Sequence, residues 1–383
     1  MSAKPVEVAI ALWGDRHLPV SAVAAQARAL EASGVVDGIL LADQLVNFIP
    51  QQLWTPRNTP AASFLGDPDS HSDAFTLAAY LSALTPSLSL SVSTDSVRRG
   101  PAELIQTMLT LADITQGRVT FHIGGGEVKQ CKPYGHKRSQ GLSRMEDLFK
   151  IYKSWSEDHG PLTHQGNHWS FDKATIGRAM PHKPRIWGLG AGPKLIDHAT
   201  TYCDGLAATC PPVWGGPEAF GKARAEILEQ VRRKGRDPSK FNTAVWFPVM
   251  LTENPEQVQL ALANPLVKWM SGIFGRIDAK LWREVGLESP IPEDWNYFTH
   301  FLPYDTPQSF IDSVLAKTTD EHVRQGWLIG TPKEVAAMIQ RYIDAGADWV
   351  CPMDYLPLVL DPSEAEAAFA RSIELCRLIK AGG

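Results

Sequence analysis

Short apolar runs and amphipathic stretches alternate along this chain almost from its start. Val6–Leu12 is an apolar run of strand type. Val20–Ser33 repeats apolar residues at helical spacing and stops at Gly34, a residue that suits a helix C-cap. Gly38–Ala42 reads as a second strand, apolar on both faces as in a covered parallel sheet. Asp73 is placed to cap a helix running to about Thr85. Leu88–Ser93 is the third strand and Pro101–Thr115 a helix with proline in its first turn. Arg118–Ile123 is the fourth strand and Leu142–Glu157 a long amphipathic helix. The rhythm continues through a strand at Arg185–Gly188, a helix at Lys194–Tyr202, a strand at Gly205–Ala208, a helix at Pro217–Lys234 and a strand at Thr243–Met250. Thr331-Pro332 opens a helix to about Ala345, Trp349–Pro352 is the eighth strand, and Asp361–Ile379 is the closing helix.

Two stretches break the rhythm. Asp43 to Ser72 is polar, proline-rich and too long for an ordinary connection, which marks it as a candidate active-site loop. Asn264–Gln325 is too long for one crossover helix and reads as an insertion near the catalytic face, between strands seven and eight. Eight strands alternating with helices predict an α/β fold, a (β/α)8 TIM barrel forming one domain over residues 1–383. No internal repeat or splitting linker interrupts it.

Composition narrows the possibilities. The 44% apolar content supports a large core, and the 21% charged residues form no block of one sign, so order is expected throughout. A net charge of −5 with dispersed basic residues argues against a nucleic-acid partner. Cys131, Cys203, Cys210, Cys351 and Cys376 include no C-x-x-C pair, which suggests neither a disulfide framework nor a metal site. Met1-Ser2-Ala3-Lys4-Pro5 leads into a strand rather than a secretory signal, and no apolar run reaches the length of a membrane span. A cytoplasmic location is expected.

Function in such a barrel sits at the C-terminal ends of the strands. That rule nominates Trp13, Asp43-Gln44, Thr94-Asp95, the Gly124–Glu127 turn, Gly190–Lys194 and Thr209. The turn Gly124-Gly125-Gly126-Glu127 lets backbone approach a flat ligand, because glycine has no Cβ, and ends in a carboxylate at the barrel mouth. A tight turn with a solvated glutamate is the plainer reading of the turn alone. Asp43 serves equally well as a cap or a loop hydrogen-bond acceptor. Backbone amides at the start of the Lys194 helix suit a phosphate, although the Gly190-Ala191-Gly192 pattern lacks the third glycine of a dinucleotide fingerprint. Arg98-Arg99 either meets an anionic tail or is solvated. Trp13, Trp54 and Trp269 are candidate apolar walls, set against core packing as the ordinary role of most of the twelve tryptophans.

Taken in order, six segments resemble the bacterial-luciferase-like superfamily of flavin and deazaflavin oxidoreductases, over nearly the whole chain. They are Leu41-Ala42-Asp43-Gln44, the run from Ser93 to Pro101, the run from Gly117 to Glu127, the run from Pro184 to Pro193, Cys203-Asp204-Gly205, and the run from Gly330 to Val335. Within that superfamily the chain is more similar to the branch dependent on coenzyme F420, which includes glucose-6-phosphate dehydrogenase and the phthiodiolone ketoreductases. The loop after Asp43, Arg98-Arg99 and Lys132-Pro133-Tyr134-Gly135 resemble the ketoreductases.

The resemblance implies roles. Asp43 hydrogen-bonds the deazaflavin ring, and Thr94 contacts it beside a strand-three bulge that props its face. Gly125 and Gly126 pass close to the cofactor, Glu127 is the catalytic carboxylate, and Gln130 adds a polar contact. Ala191, Gly192, Lys194 and Leu195 hold the cofactor phosphate, while Thr209 contacts substrate. One departure matters: Gln44 stands where the dehydrogenase and ketoreductase members carry a histidine, and glutamine cannot exchange a proton near neutral pH. His122, Tyr134, His136 and Glu127 are the candidate replacements, although a barrel-facing histidine such as His122 is more often a packed one. The implied activity is hydride transfer between F420 and a small or lipid-like ketone, secondary alcohol or enone, with Trp13 and Trp54 walling the substrate. An FMN-dependent monooxygenase is the alternative, and a non-catalytic binding or scaffold barrel is a third reading. A homodimer is expected by analogy with relatives.

Overall fold

The structure is a computed structural model that describes residues 5–158 and 160–382; the reading of Met1 to Lys4 lies outside them. Its strands are β1 (Glu7–Ala11), β2 (Gly38–Ala42), β3 (Ser89–Asp95), β4 (Val119–Gly124), β5 (Leu162–Gln165) and β6 (Ser170–Ala174). They continue as β7 (Arg185–Leu189), β8 (Gly205–Thr209), β9 (Asn242–Leu251), β10 (Leu328–Gly330) and β11 (Trp349–Asp354). Eight of them close a parallel barrel in the order β1-β2-β3-β4-β7-β8-β9-β11 and back to β1. The expected (β/α)8 barrel is therefore present.

The barrel interior is filled by matching small residues to large ones. Ala9, Ala207, Ala244 and Cys351 leave room for Trp187 and Trp349, both fully buried. Outside, helices cover the sheet where the apolar period placed them. Val20–Ser33 ends on Gly34 in the left-handed conformation, and Asp73 accepts the Thr76 amide (2.8 Å) at the start of Ala74–Leu84. Thr331 and Glu334 cap each other's backbone at the start of Pro332–Asp344.

The differences have physical causes. β3, β4, β9 and β11 each run past the apolar stretch that marked them, because ladder pairing continues through polar residues such as Asp95 opposite Gly124. The closing helix begins at Ala365, after a short 3-10 turn at Pro362–Glu364. The hairpin β5–β6 went unforeseen. Buried Asp147 holds its turn, accepting the amides of Asn167 (2.9 Å) and His168 (2.7 Å). The insertion is helical at Pro265–Phe274, Ala279–Glu284, Tyr297–His300, Gln308–Lys317 and Asp320–Gly326. β10 then adds a parallel strand to the end of β9. Together these build a second apolar cluster over the barrel end, seating Trp269, Phe301 and Ile311 against Ile49 and Leu53 of the loop after β2. Trp269 is fully buried there and donates Nε1 to the Phe48 carbonyl (3.0 Å), so it is core and not a pocket wall. Among the described residues no helix is long and apolar enough to cross a membrane, and the five cysteines are free and buried.

Asp354 ties the ends of β9 and β11 together, its Oδ1 accepting the amides of Leu251 (3.3 Å) and Leu356 (3.1 Å) while Oδ2 is sealed without a partner. Burial pushes this carboxyl up to about 7, against the pull of its backbone donors and Arg371. An acid raised in the fold favours folding while protonated, so this contribution is present below the ordinary carboxylate range and lost as pH climbs through about 7. Asp354→Asn, which keeps the accepting oxygen, should raise the melting temperature near pH 8 and converge on the parent near pH 4. An equal change at both pH values would contradict it.

Candidate active site

Four strand ends meet the loop after β2 at the barrel mouth. Asp43, just past β2, is anchored rather than free. Its Oδ2 accepts from Thr94 Oγ1 (2.7 Å) and Arg98 Nη2 (3.0 Å), and Arg99 Nη2 stands 3.6 Å from Oδ1. Arg98 also pairs with Asp95, and the side chains of Asp43, Asp95 and Arg98 are only 5, 7 and 9% exposed. Arg99 binds Asp73 (2.7 Å) and lies over Phe75. The arginine pair is thus committed to acids of the chain itself, not offered to an anionic tail. Thr94 spends its hydroxyl hydrogen on Asp43. The bulge implied at strand three is not there: β3 pairs with β4 without a register shift from Leu90 to Asp95.

The glycine turn beyond β4 serves the chain's own packing as well as any ligand. Gly126 has φ +80°, and a Cβ on it would meet Cys131 Sγ at 3.1 Å and Val97 at 3.2 Å. Gly125 offers its carbonyl so closely to the helix Gly141–Asp158 that a Cβ on Gly141 would lie 1.8 Å from it. The turn delivers Glu127, 29% exposed, with Oε2 2.7 Å from Lys129 Nζ and 3.5 Å from the donating Tyr297 hydroxyl. Lys129 is buried and also donates to the Val46 carbonyl (2.8 Å). Tyr297 comes from the insertion; burial and the neighbouring Glu127 carboxylate push its hydroxyl well up. Gln130 also holds the loop: its Oε1 accepts the amides of Leu45 (2.7 Å) and Val46 (3.3 Å) and its Nε2 donates to the Val46 carbonyl (2.6 Å).

Gln44, next to Asp43, meets His71 at 3.3 Å between the two Nε2 atoms. His122 does not reach the mouth. It lies among Trp187, Trp246 and Trp349, accepts the Trp246 indole N–H (3.2 Å) and is fully buried. Burial pushes it down to about 3, with Arg185 adding to the effect, so it is a neutral core histidine and not an acid. Tyr134 is exposed, and burial of its hydroxyl and nearby Asp69 push it up. His136 is partly buried after the turn, and among the described residues the hydrogen-bond partner of the Gln44 side chain is His71.

Gly192 caps the ten-residue helix Pro193–Tyr202, and a Cβ on it would meet nothing within 4 Å. The first amides of that helix have no partner within the helix, and exposed Lys194 stands beside them. Ala191 is half-buried, whereas the Leu195 side chain packs into the core, which leaves only its backbone amide at the helix start. Thr209 ends β8 in a buried position. Trp13 is 41% exposed and faces Tyr355, whose ring also meets Phe48 and Trp327. Trp54 is half-buried and donates to the Leu65 carbonyl (3.0 Å). Sequence reasoning missed Lys129, Tyr297 and His71 as members of the site. Lys129 could have been found from its place two residues after Glu127; nothing local marks the other two.

Residues 10–348 match the model of the luciferase-like monooxygenase family. The chain belongs to that family. It is an oxidoreductase of the luciferase-like type. It is 26% identical to the phthiodiolone/phenolphthiodiolone dimycocerosates ketoreductase of Mycobacterium tuberculosis over 322 residues, 82% of each chain. It is 23% identical to the F420-dependent glucose-6-phosphate dehydrogenase of Kineococcus radiotolerans over 270 residues, 68% of this chain and 69% of that one. Among solved structures, an F420-dependent secondary alcohol dehydrogenase in complex with an F420-acetone adduct superposes with a TM-score of 0.71 at 18% identity, covering 98 and 99% of the two chains. The long-chain alkane monooxygenase LadA superposes with a TM-score of 0.65 at 17% identity, covering 99 and 92%. These superpositions report the shared fold.

Proposed function

We propose that the protein is an F420-dependent oxidoreductase acting on a ketone, secondary alcohol or enone. The observation that carries the reading is a partly exposed carboxylate, Glu127, at the mouth of a barrel whose similarity to a ketoreductase spans 82% of both chains. The residues present fit a flat anionic cofactor. The helix start at Gly192 is open, its amides and Lys194 suit a phosphate, and the glycine turn brings backbone to the mouth.

When bound, the deazaflavin supplies the two-electron chemistry. The chain supplies position and proton handling. Glu127 takes or returns the proton of the substrate oxygen, and the Lys129 ammonium with the Tyr297 hydroxyl fixes the carboxylate for that task. Trp13 and Tyr355 present apolar faces that keep water from the reacting carbon. Arg98, through Asp43, sets the end of β2 from which Gln44 projects.

The test is a titration of the purified protein with F420 and with FMN, each followed by ring fluorescence. Uptake of F420 with none of FMN is expected, and Gly192→Val, whose branched side chain would hold a phosphate off the helix amides, should weaken uptake by about tenfold, the worth of one charge-assisted hydrogen bond. Tight FMN uptake without F420 binding would move the protein to the monooxygenase side of its family, and uptake of neither would end the reading.

A further inference from the structure

Arg98 and Arg99 are committed to acids of the chain itself, so the free cations of the mouth lie elsewhere. We infer that Arg138, with Lys132 and Lys137, forms a binding site for the carboxylates of the cofactor's glutamyl tail, on the rim beside the glycine turn. The inference rests on the F420 reading and deepens it. Coenzyme F420 continues past its phosphate into a chain of γ-linked glutamates, whereas FMN ends at its phosphate.

Charge is unevenly spread along the chain. The net charge is −5, yet residues 128–145 hold Lys129, Lys132, Lys137, Arg138 and Arg144 without one Asp or Glu. Two of these cations are engaged. Lys129 pairs with Glu127, and Arg144 lies over Trp169 and donates to Gln140 Oε1 (3.1 Å). Among the described residues, Lys132, Lys137 and Arg138 have no carboxylate within ion-pair reach. Lys132 and Lys137 are exposed.

Arg138 carries the argument furthest. Its side chain is half-buried, and its Nε is sealed from water with no acceptor. Burial lowers its basicity, and Cys131, Glu127 and Asp95 oppose this from a distance rather than through a bond. A guanidinium partly stripped of water and lacking a carboxylate binds an incoming anion more strongly than a fully hydrated one.

Its place suits a tail. Nη1 lies 3.8 Å from where a Gly125 Cβ would stand. The glycine turn adjoins the phosphate cradle, since Gly124 pairs with Leu189, which leads directly into Gly190-Ala191-Gly192. The 18-residue helix Gly141–Asp158 starts just beyond Arg138 and adds the positive end of its dipole. Several separate cations along one rim suit repeated carboxylates better than a single phosphate.

The probes are F420 without glutamates, with a short tail and with a long tail, each titrated into the cofactor-free protein and followed by ring fluorescence. The long-tailed form should bind about three- to tenfold more tightly than the tail-free form, the gain expected of two or three partly exposed charge pairs. That advantage should vanish in about 1 M salt, where screening acts over about 3 Å. Arg138→Gln should remove most of it while binding the tail-free form as the parent does. Lys132→Gln with Lys137→Gln, both at exposed positions that the fold tolerates, should reduce the advantage independently. Equal affinity of the parent for all three forms would overturn the assignment. So would an Arg138→Gln loss of the same size for each form, which would put Arg138 on the phosphate or the ring. Absence of uptake of the tail-free form would instead fail the F420 reading, and this inference with it.

Discussion

Glu127→Gln should lower turnover by ~10²–10⁴, the usual worth of a positioned acid–base group. Glutamine keeps the shape and an oxygen that still accepts from Tyr297, so the geometry of the turn survives. What is lost is the proton-accepting charge and the partner of Lys129. The lysine is buried and keeps the Val46 carbonyl and a neutral amide oxygen in place of a charged partner, so some stability goes as well. Glu127 is 29% exposed and its pair is partly hydrated, which keeps that cost at the lower end of what buried pairs show. Lys129→Met in the same chain separates the two effects: it should restore the melting temperature of Glu127→Gln without restoring turnover. Cofactor affinity, read by fluorescence, should change by no more than a few-fold. Turnover equal to the parent's would remove Glu127 from the chemistry.

The largest loss of stability is expected from Arg98→Met. One guanidinium answers two carboxylates, Asp43 and Asp95, that are 5 and 7% exposed. Removing it leaves Asp95 without its cation and Asp43 with only the more distant Arg99, where water hardly reaches, at about 3–5 kcal/mol for breaking such a buried pair. With an unfolding entropy of roughly 2.1 cal/mol/K per residue, a chain of this length should then melt about 4–6 °C lower. Arg98→Lys should not rescue it, because a single ammonium cannot fork between Asp95, the Asp43 carboxylate and the Asp43 carbonyl at once. A melting temperature within a degree or so of the parent would show that the cluster anchors nothing.

Alternation of apolar runs made the barrel legible, since each buried parallel strand and each covering helix carries its own local signature. The ends of the strands were not legible. Thr94 and Asp95 look like loop residues, yet backbone pairing with β4 carries them into the sheet. The hairpin β5–β6 has no apolar pattern strong enough to announce it and depends on Asp147, on a different element. The same limit governs the site. Glu127 could be found because glycines mark its turn and the family resemblance singles out the carboxylate that ends it. Gln44 with His71, 27 positions apart, and Glu127 with Tyr297, 170 apart, meet only through tertiary packing. Gln130 and Leu195 show the converse. The resemblance implied ligand contact, while the structure adds that the Gln130 amide serves a neighbouring loop and that the Leu195 side chain faces inward at its helix start.

The hydroxyl that Tyr297 lends to Glu127 has an evolutionary cost. The segment that carries it also roofs the second apolar cluster, so on the proposed reading selection for a bulkier guest would detune the acid with every change it made to the roof. Descendants of this scaffold should diversify their guests by remodelling the surround of Trp13, whose ring faces Tyr355 rather than Tyr297.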